Sequence, residues 1–450
     1  MRNAHHACDD FHSTSESRRR SFLDTPLSRR QVLGRGLGAG LAIYAAKAMP
    51  LMRILEAAEA QAQAAPAAPI LVSVFLPGGC DLLDTIVPVN QFGHYADLRP
   101  GLKIDAPPAL GSTGLGINPH LTEGTGGGIK GLFDAGKIGL LPGIDYANPD
   151  LSHFHSRHFW ETGLITPVSA TGWLGRWLDH VGSKDNPLQG ISMDAALSPV
   201  LRSGASPVAA VSSPDDAQFW IPGLWGDSFD RAMEAWTQIA ARRPYSPGAA
   251  AAYAGARQAK SVADILAPYI KNEDTGVDPL AGSIAYPDGD LGDRLKTLAG
   301  FLSLPLGIRV VTVEADGDFD THDNQALDLG DGLSKVSGAL AAFQADIEAR
   351  GLGDRVLTLV WSEFGRRPQQ NESGGTDHGA GGLAWVQGTR VRSGVLSDYP
   401  DLTRLDSEDN LAVTMDFRRV YASLIEQWLG SDANAVIPNA GALGRVQLVA

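Results

Sequence analysis

The sequence predicts an α/β fold with a largely parallel central sheet flanked by helices. Three observations carry this reading. Four predominantly apolar runs, Ile70–Leu76, Ile138–Leu141, Ile308–Glu314 and Arg355–Trp361, read as strands, and the β-branched ones among them suit burial on both faces. Polar or Gly-rich segments follow these runs, as ligand-binding loops follow strands in open α/β sheets. Helical patterns lie between them, so strand, polar loop and helix recur along the chain.

The totals agree with a packed enzyme-sized domain. Of 450 residues, 44% are apolar and 20% charged, which supports a sizeable core. A net charge of −14 argues against nucleic acid or an anionic membrane as partner, since both need clustered Lys and Arg. Cys8 and Cys80 are the two cysteines. Cys8 lies in an expected leader, so the mature chain would keep Cys80 alone and form no internal disulfide.

Residues 1–64 read as a twin-arginine signal peptide and linker, and 65–450 as one domain. Ser28-Arg29-Arg30-Gln31-Val32-Leu33 resembles the twin-arginine motif, followed by a mildly apolar, Gly-rich run to about Ala46 that Arg35 interrupts. Small-residue cleavage candidates stand around Ala60 to Ala64. The run is too interrupted for a stable membrane span, which needs about 20 apolar residues. The expected location is therefore periplasmic or secreted, with the twin-arginine translocase as export partner. That route carries folded chains, often with a metal or cofactor already inserted.

In chain order, Ile70–Leu76 is cut off by Pro77-Gly78-Gly79-Cys80-Asp81, which places Asp81 at a strand end as a metal-ligand candidate or a helix cap. Ile129–Lys137 is an expected helix, and Ile138–Leu141 the next strand. Asn148 to Trp160 reads as a loop-to-helix junction starting near Ser152, where free N–H groups and the helix dipole favour an anion. His153, His155 and His158 crowd its first turns. Residues 190–225 suggest short strands and loops, and Ser228–Lys271 a helical insertion. Leu291–Leu304 and Leu333–Arg350 are expected helices, with Ile308–Glu314 between them. Arg355–Trp361 leads into Ser362-Glu363 and then a polar, Gly-rich loop carrying Asp377-His378. Leu383–Val386 is a fifth strand candidate, and Asp416–Leu429 a closing helix.

Five of the eleven histidines, His153, His155, His158, His322 and His378, fall in three loops that also hold most of the candidate acids. Asp316, Asp318 and Asp320 have the spacing that opens an EF-hand, but Thr321 and Leu327 replace its required Gly and Glu. Asp320 with His322 mixes oxygen and nitrogen donors, which suits zinc, manganese or iron.

The stretches FLPGGCDLLDTIVP, SHFHSRHFWETG, GDFDTHDNQ, WSEFGRRPQQNESGGTDHG and MDFRRVYASLIEQWLG resemble the ordered motifs of the exported family catalogued as domain of unknown function 1501. That family is grouped with the alkaline-phosphatase-like (sulfatase-like) superfamily, and the resemblance spans roughly Ile70 to Leu429. It implies one or two divalent ions, zinc or manganese, bound by Asp81, Asp320, His322, Glu363 and His378. Ser152 would be the nucleophile, with Ser156 as its rival, and His153, Arg157 and Asp377 as additional site residues. Two departures stand out: Phe364 follows the strand-end acid where the superfamily usually has His, and Cys80 replaces an Asn. The absence of the Cys/Ser-x-Pro-x-Arg motif disfavours a formylglycine sulfatase. The resulting expectation is an exported metal-dependent hydrolase of small anionic phosphate or sulfate esters. The alternative is a catalytically inactive exported binding or assembly protein on the same fold.

Overall fold

Strands β1 (Ala42–Tyr44), β2 (Ile70–Phe75), β3 (Ile138–Asp145), β4 (Gly190–Ser192) and β5 (Val208–Ala210) form half of a ten-stranded sheet. The other half is β6 (Val310–Glu314), β7 (Val356–Trp361), β8 (Gly382–Gln387), β9 (Gly394–Val395) and β10 (Met415–Asp416). Their order is β1-β5-β4-β6-β2-β7-β8-β3-β9, with β10 also paired to β3. The computed structural model describes residues 42–44, 57–60, 68–219, 223–242 and 246–450. The twin-arginine motif and nearly all of the expected leader lie outside the described residues.

The sheet is mixed but mostly parallel: β5, β4, β6, β2 and β7 run side by side in one direction. The sequence-predicted α/β class is therefore the observed one. Alternate side chains of β2 enter two cores, as the two-residue period of a strand requires. Val72 and Val74 meet one core, with Leu295 and Phe301 of α6 (Asp290–Leu302) and Leu340 and Phe343 of α7 (Gln325–Ala349). Leu71 and Phe75 meet the other. It is built from α2 (His153–Thr162), α3 (Trp173–Val181) and α8 (Phe417–Gln427). The smaller α1 (Gly128–Asp134) packs on α7, and α4 (Asp227–Ala240) and α5 (Pro247–Leu266) occupy the stretch expected to be helical.

Three elements differ from the sequence expectation. Helix α7 begins at Gln325, not Leu333, because Asn324 adopts a left-handed conformation (φ 45°) and opens it. Its first turns carry Asp328, Gly330, Asp331 and Gly332, which mask the apolar period. A Cβ on Gly330 would lie 2.8 Å from the His120 ring, so close packing explains that small residue. The polar loop after Glu363 is a β-hairpin, Gly365–Gln370 paired with Thr376–Gly379, that sets Arg366 opposite His378. Its strands contain almost no apolar residues and one includes Pro368, so alternation gave no signal. Strand β8 is antiparallel to both neighbours, β7 and β3.

Helix α2, which enters the site, is fixed by aromatic stacking. Trp160 lies 5.4 Å from Trp361 at an interplanar angle of 4°, and 4.4 Å from Phe417 at 15°. Among the described residues, no helix is long and apolar enough to cross a membrane. Replacing Trp160 by Ala should lower the unfolding free energy by about 3–5 kcal/mol. A urea titration checks this, and wild-type stability in the variant would exclude the stack as the anchor of α2.

Candidate metal centre

The parallel strands β2, β6 and β7 present their carboxyl ends along one edge, and the loops that follow them meet there. Gly78 makes the meeting possible. Its φ is +115°, and a Cβ there would lie 2.4 Å from the Asp320 amide nitrogen. The turn after β2 thus abuts the loop after β6. It also donates to the acid after β7: Gly78 N lies 3.0 Å from Glu363 Oε1, and Gly79 N lies 3.1 Å from Oε2.

Three imidazoles converge on Asp320. His153 Nδ1 is 2.8 Å from Glu363 Oε1, and its Nε2 is 3.3 Å from Asp320 Oδ2. His378 Nδ1 is 2.9 Å from the Leu151 carbonyl, and its Nε2 is 3.1 Å from Asp320 Oδ1. His322 Nδ1 is 3.3 Å from Asp377 Oδ1, and its Nε2 is 3.1 Å from both Asp320 Oδ1 and His378 Nε2. A carbonyl or a carboxylate can only accept, so each Nδ1 is assigned as the N–H donor. Each Nε2 in turn faces the Asp320 carboxylate, which likewise only accepts, and a bound ion would take the place of the Nε2 protons there. Donor atoms of His153, Asp320 and His378 all lie within 4.8 Å of one another. Ring nitrogens gathered at one carboxylate, with the opposite nitrogens tied to acceptors, form an arrangement that suits a metal-binding histidine set.

The acids are held ionised. Burial opposes the charge on Asp320, but hydrogen bonds from the three histidines and the charge of Arg366 outweigh it and hold the carboxyl well below the usual range. Burial likewise opposes ionisation of Glu363, and the His153 contact leaves its carboxyl lower than normal. Asp377, half exposed, is lowered to about 2, chiefly by its hydrogen bond with His322. The fully buried Arg366 guanidinium bonds Asp320 and the carbonyls of Gly78, Gly79, Phe319 and Thr376.

Not every residue singled out in the sequence faces this point. Asp320, His322 and His378 do, together with His153. Glu363 lies behind His153, and Asp377 behind His322. Asp81 is turned away into a buried network: it caps the helix Leu82–Thr85 and pairs with Arg99 at 2.7 Å. In front of the histidines lies a cleft of about 450 Å³, walled by residues 151–154, His322, Arg367, Asp377 and His378. Ser152 lies on that wall at the N-cap of α2, and its side chain makes no capping bond. Ser156 instead hydrogen-bonds Tyr146 Oη at 3.0 Å and the Asp150 carbonyl. Arg157 is held by Glu161 and Glu314 at 2.8 and 2.7 Å, above the Phe75 ring.

Arg366, Arg367, Arg99 and Gln325 were not legible as site residues. A basic pair beginning three positions beyond a strand-end acid was the available signal, but charged residues in a polar segment read by default as solvent-facing.

A family model described as protein of unknown function (DUF1501) matches residues 149–436, a span that includes His153, Asp320, His322, Glu363 and His378. Among solved structures, the crystal structure of PsFucS1 sulfatase from Pseudoalteromonas sp. is similar at 12% sequence identity and a TM-score of 0.34, covering 89% of this chain and 78% of that one. No curated protein matches the sequence.

Cys80, which stands where the family has an Asn, is fully buried with Sγ 3.7 Å from Thr85 Oγ1. Burial pushes its thiol up to about 12. Thiolate is the reactive form, so in a Cys8→Ser chain Cys80 should resist iodoacetamide at pH 8 and react only after denaturation. Mass spectrometry of the alkylated chain checks this, and rapid native labelling would contradict the burial.

Proposed function

The chain belongs to the family described as protein of unknown function DUF1501, and we propose that it is an exported metal-dependent hydrolase of phosphate or sulfate esters. The observation that carries this reading is the convergence of three Nδ1-anchored imidazoles on the ionised Asp320. His153, Asp320, His322 and His378 would hold a divalent ion, and their nitrogen and oxygen donors suit zinc or manganese. When bound, such an ion supplies Lewis acidity toward an ester oxygen.

The remaining roles fall to groups around the cleft. Ser152 is the favoured nucleophile because it lies on the cleft wall, whereas Ser156 is bonded inward to Tyr146. Its Oγ would form the bond to phosphorus or sulfur as the bond to the leaving alcohol breaks, and water would then release the acid from Ser152. The first turn of α2, ten residues long, offers N–H groups and a positive dipole end to the anion. Arg367 lines the same cleft and supplies the fixed positive charge that Arg157, tied to two glutamates, does not. Glu363 and Asp377 act through His153 and His322, fixing which ring nitrogen carries the proton.

A panel of phospho- and sulfo-esters, assayed on purified protein, tests the reading. Chelation should abolish turnover, zinc or manganese should restore it, and Ser152→Ala should lower it by at least about 100-fold. Turnover unchanged by chelation or by the substitution would remove the mechanism. Export rests on the twin-arginine motif, and residues 1–64 fused to a folded reporter should carry it across the membrane. A reporter that stays in the cytoplasm would remove that part alone.

A further inference from the structure

We infer that this chain holds one resident divalent ion and not two, because the carboxylate and the space a second ion would use are committed to the buried guanidinium of Arg99 and the ring of Phe364. This rests on the metal-dependent reading above and narrows it.

Asp81 is the acid that the sequence resemblance adds, with Glu363, beyond the ligands gathered at Asp320, and both its oxygens are taken. Oδ1 accepts the Asp84 amide at 2.9 Å. Oδ2 meets Arg99 Nη2 at 2.7 Å and Gln325 Nε2 at 3.1 Å. The guanidinium cannot easily be displaced by a metal, because it is also ion-paired with Asp84 at 2.9 Å and hydrogen-bonded to the carbonyls of Pro368 and Arg367, both at 2.9 Å. Both partners of the Arg99–Asp81 pair are completely buried, so expelling the cation would leave a desolvated carboxylate behind. Gln325 closes the set: it donates to Asp81 and to Asp84 and accepts from Thr321 and Thr376 at 2.9 and 2.6 Å.

The other half of a second site is equally occupied. Glu363 takes two backbone N–H groups and His153 Nδ1, so it orients a ligand and is not bare toward a cation. Phe364 is fully buried, with its ring centroid 4.8 Å from that of His153 and 4.7 Å from that of His378. Gly79 is packed so tightly against it that a Cβ there would lie 2.4 Å from Phe364 Cε2. Hydrocarbon thus fills the place beside the histidines where a further nitrogen donor would be needed. Arg366, permanently charged and bonded to the Gly78 and Gly79 carbonyls, adds repulsion toward any second cation in the same turn.

The test is a count of bound ions. The full chain, with His5, His6 and His12 changed to Ala so that leader histidines add nothing, is loaded with excess zinc and passed over a desalting column. Zinc per chain is then measured by plasma mass spectrometry. One equivalent is expected, and one should also remain in Asp81→Asn, where the Asn oxygen keeps the cap and Asp84 keeps Arg99. Two tightly held equivalents, or loss of zinc from an Asp81→Asn chain whose circular dichroism is unchanged, would overturn the inference and leave the metal-dependent reading standing. No bound zinc would overturn both. If Asp81→Asn does not fold, the count on the parent chain decides.

Discussion

A carboxylate buried beside three imidazoles must be surrounded by fixed positive charge and hydrogen-bond donors, or it will take up a proton and cease to be a ligand. Asp320 meets that requirement through Arg366, whose guanidinium also bonds four backbone carbonyls from three segments. One side chain therefore does two things. It keeps Asp320 ionised, and it ties the turn after β2, the loop after β6 and the hairpin to one another. The geometry of the histidines follows from the placement of those loops.

The surrounding fold supplies what this arrangement needs. Parallel strands put successive loops on one edge, and α2 delivers His153 from the layer that packs on Leu71 and Phe75 of β2. The antiparallel β8 returns the chain from the hairpin into the sheet between β7 and β3, fixing both ends of the segment that carries His378. Each histidine is consequently held twice, by its backbone element and by the acceptor at its Nδ1.

The parallel strands were legible in the sequence because strands buried on both faces must be continuously apolar, and Ile70–Phe75 and Val310–Glu314 are nearly so. His322 and His378 were legible because they stand among glycines and acids after such runs. Asp81 shows the limit of that reasoning. Its position after β2 suits a ligand, but whether it faces an ion or an arginine depends on Arg99, and nothing local to either residue announces the pair. Arg366 was hidden for the same reason, since a buried guanidinium and a solvated one look alike in a sequence. The hairpin escaped because a strand paired mainly through its backbone needs no apolar alternation.

The donors run from His153 to His378 along the chain, in segments brought together only by the assembled sheet. No fragment of the chain could present them to an ion while the sheet was still forming, since contacts of this range close late in folding. Loading of the proposed ion would thus be a property of the finished fold. The compartment that supplied it would have to be one that the folded chain occupies, so the place of folding and the order of later events would constrain which metal could be acquired.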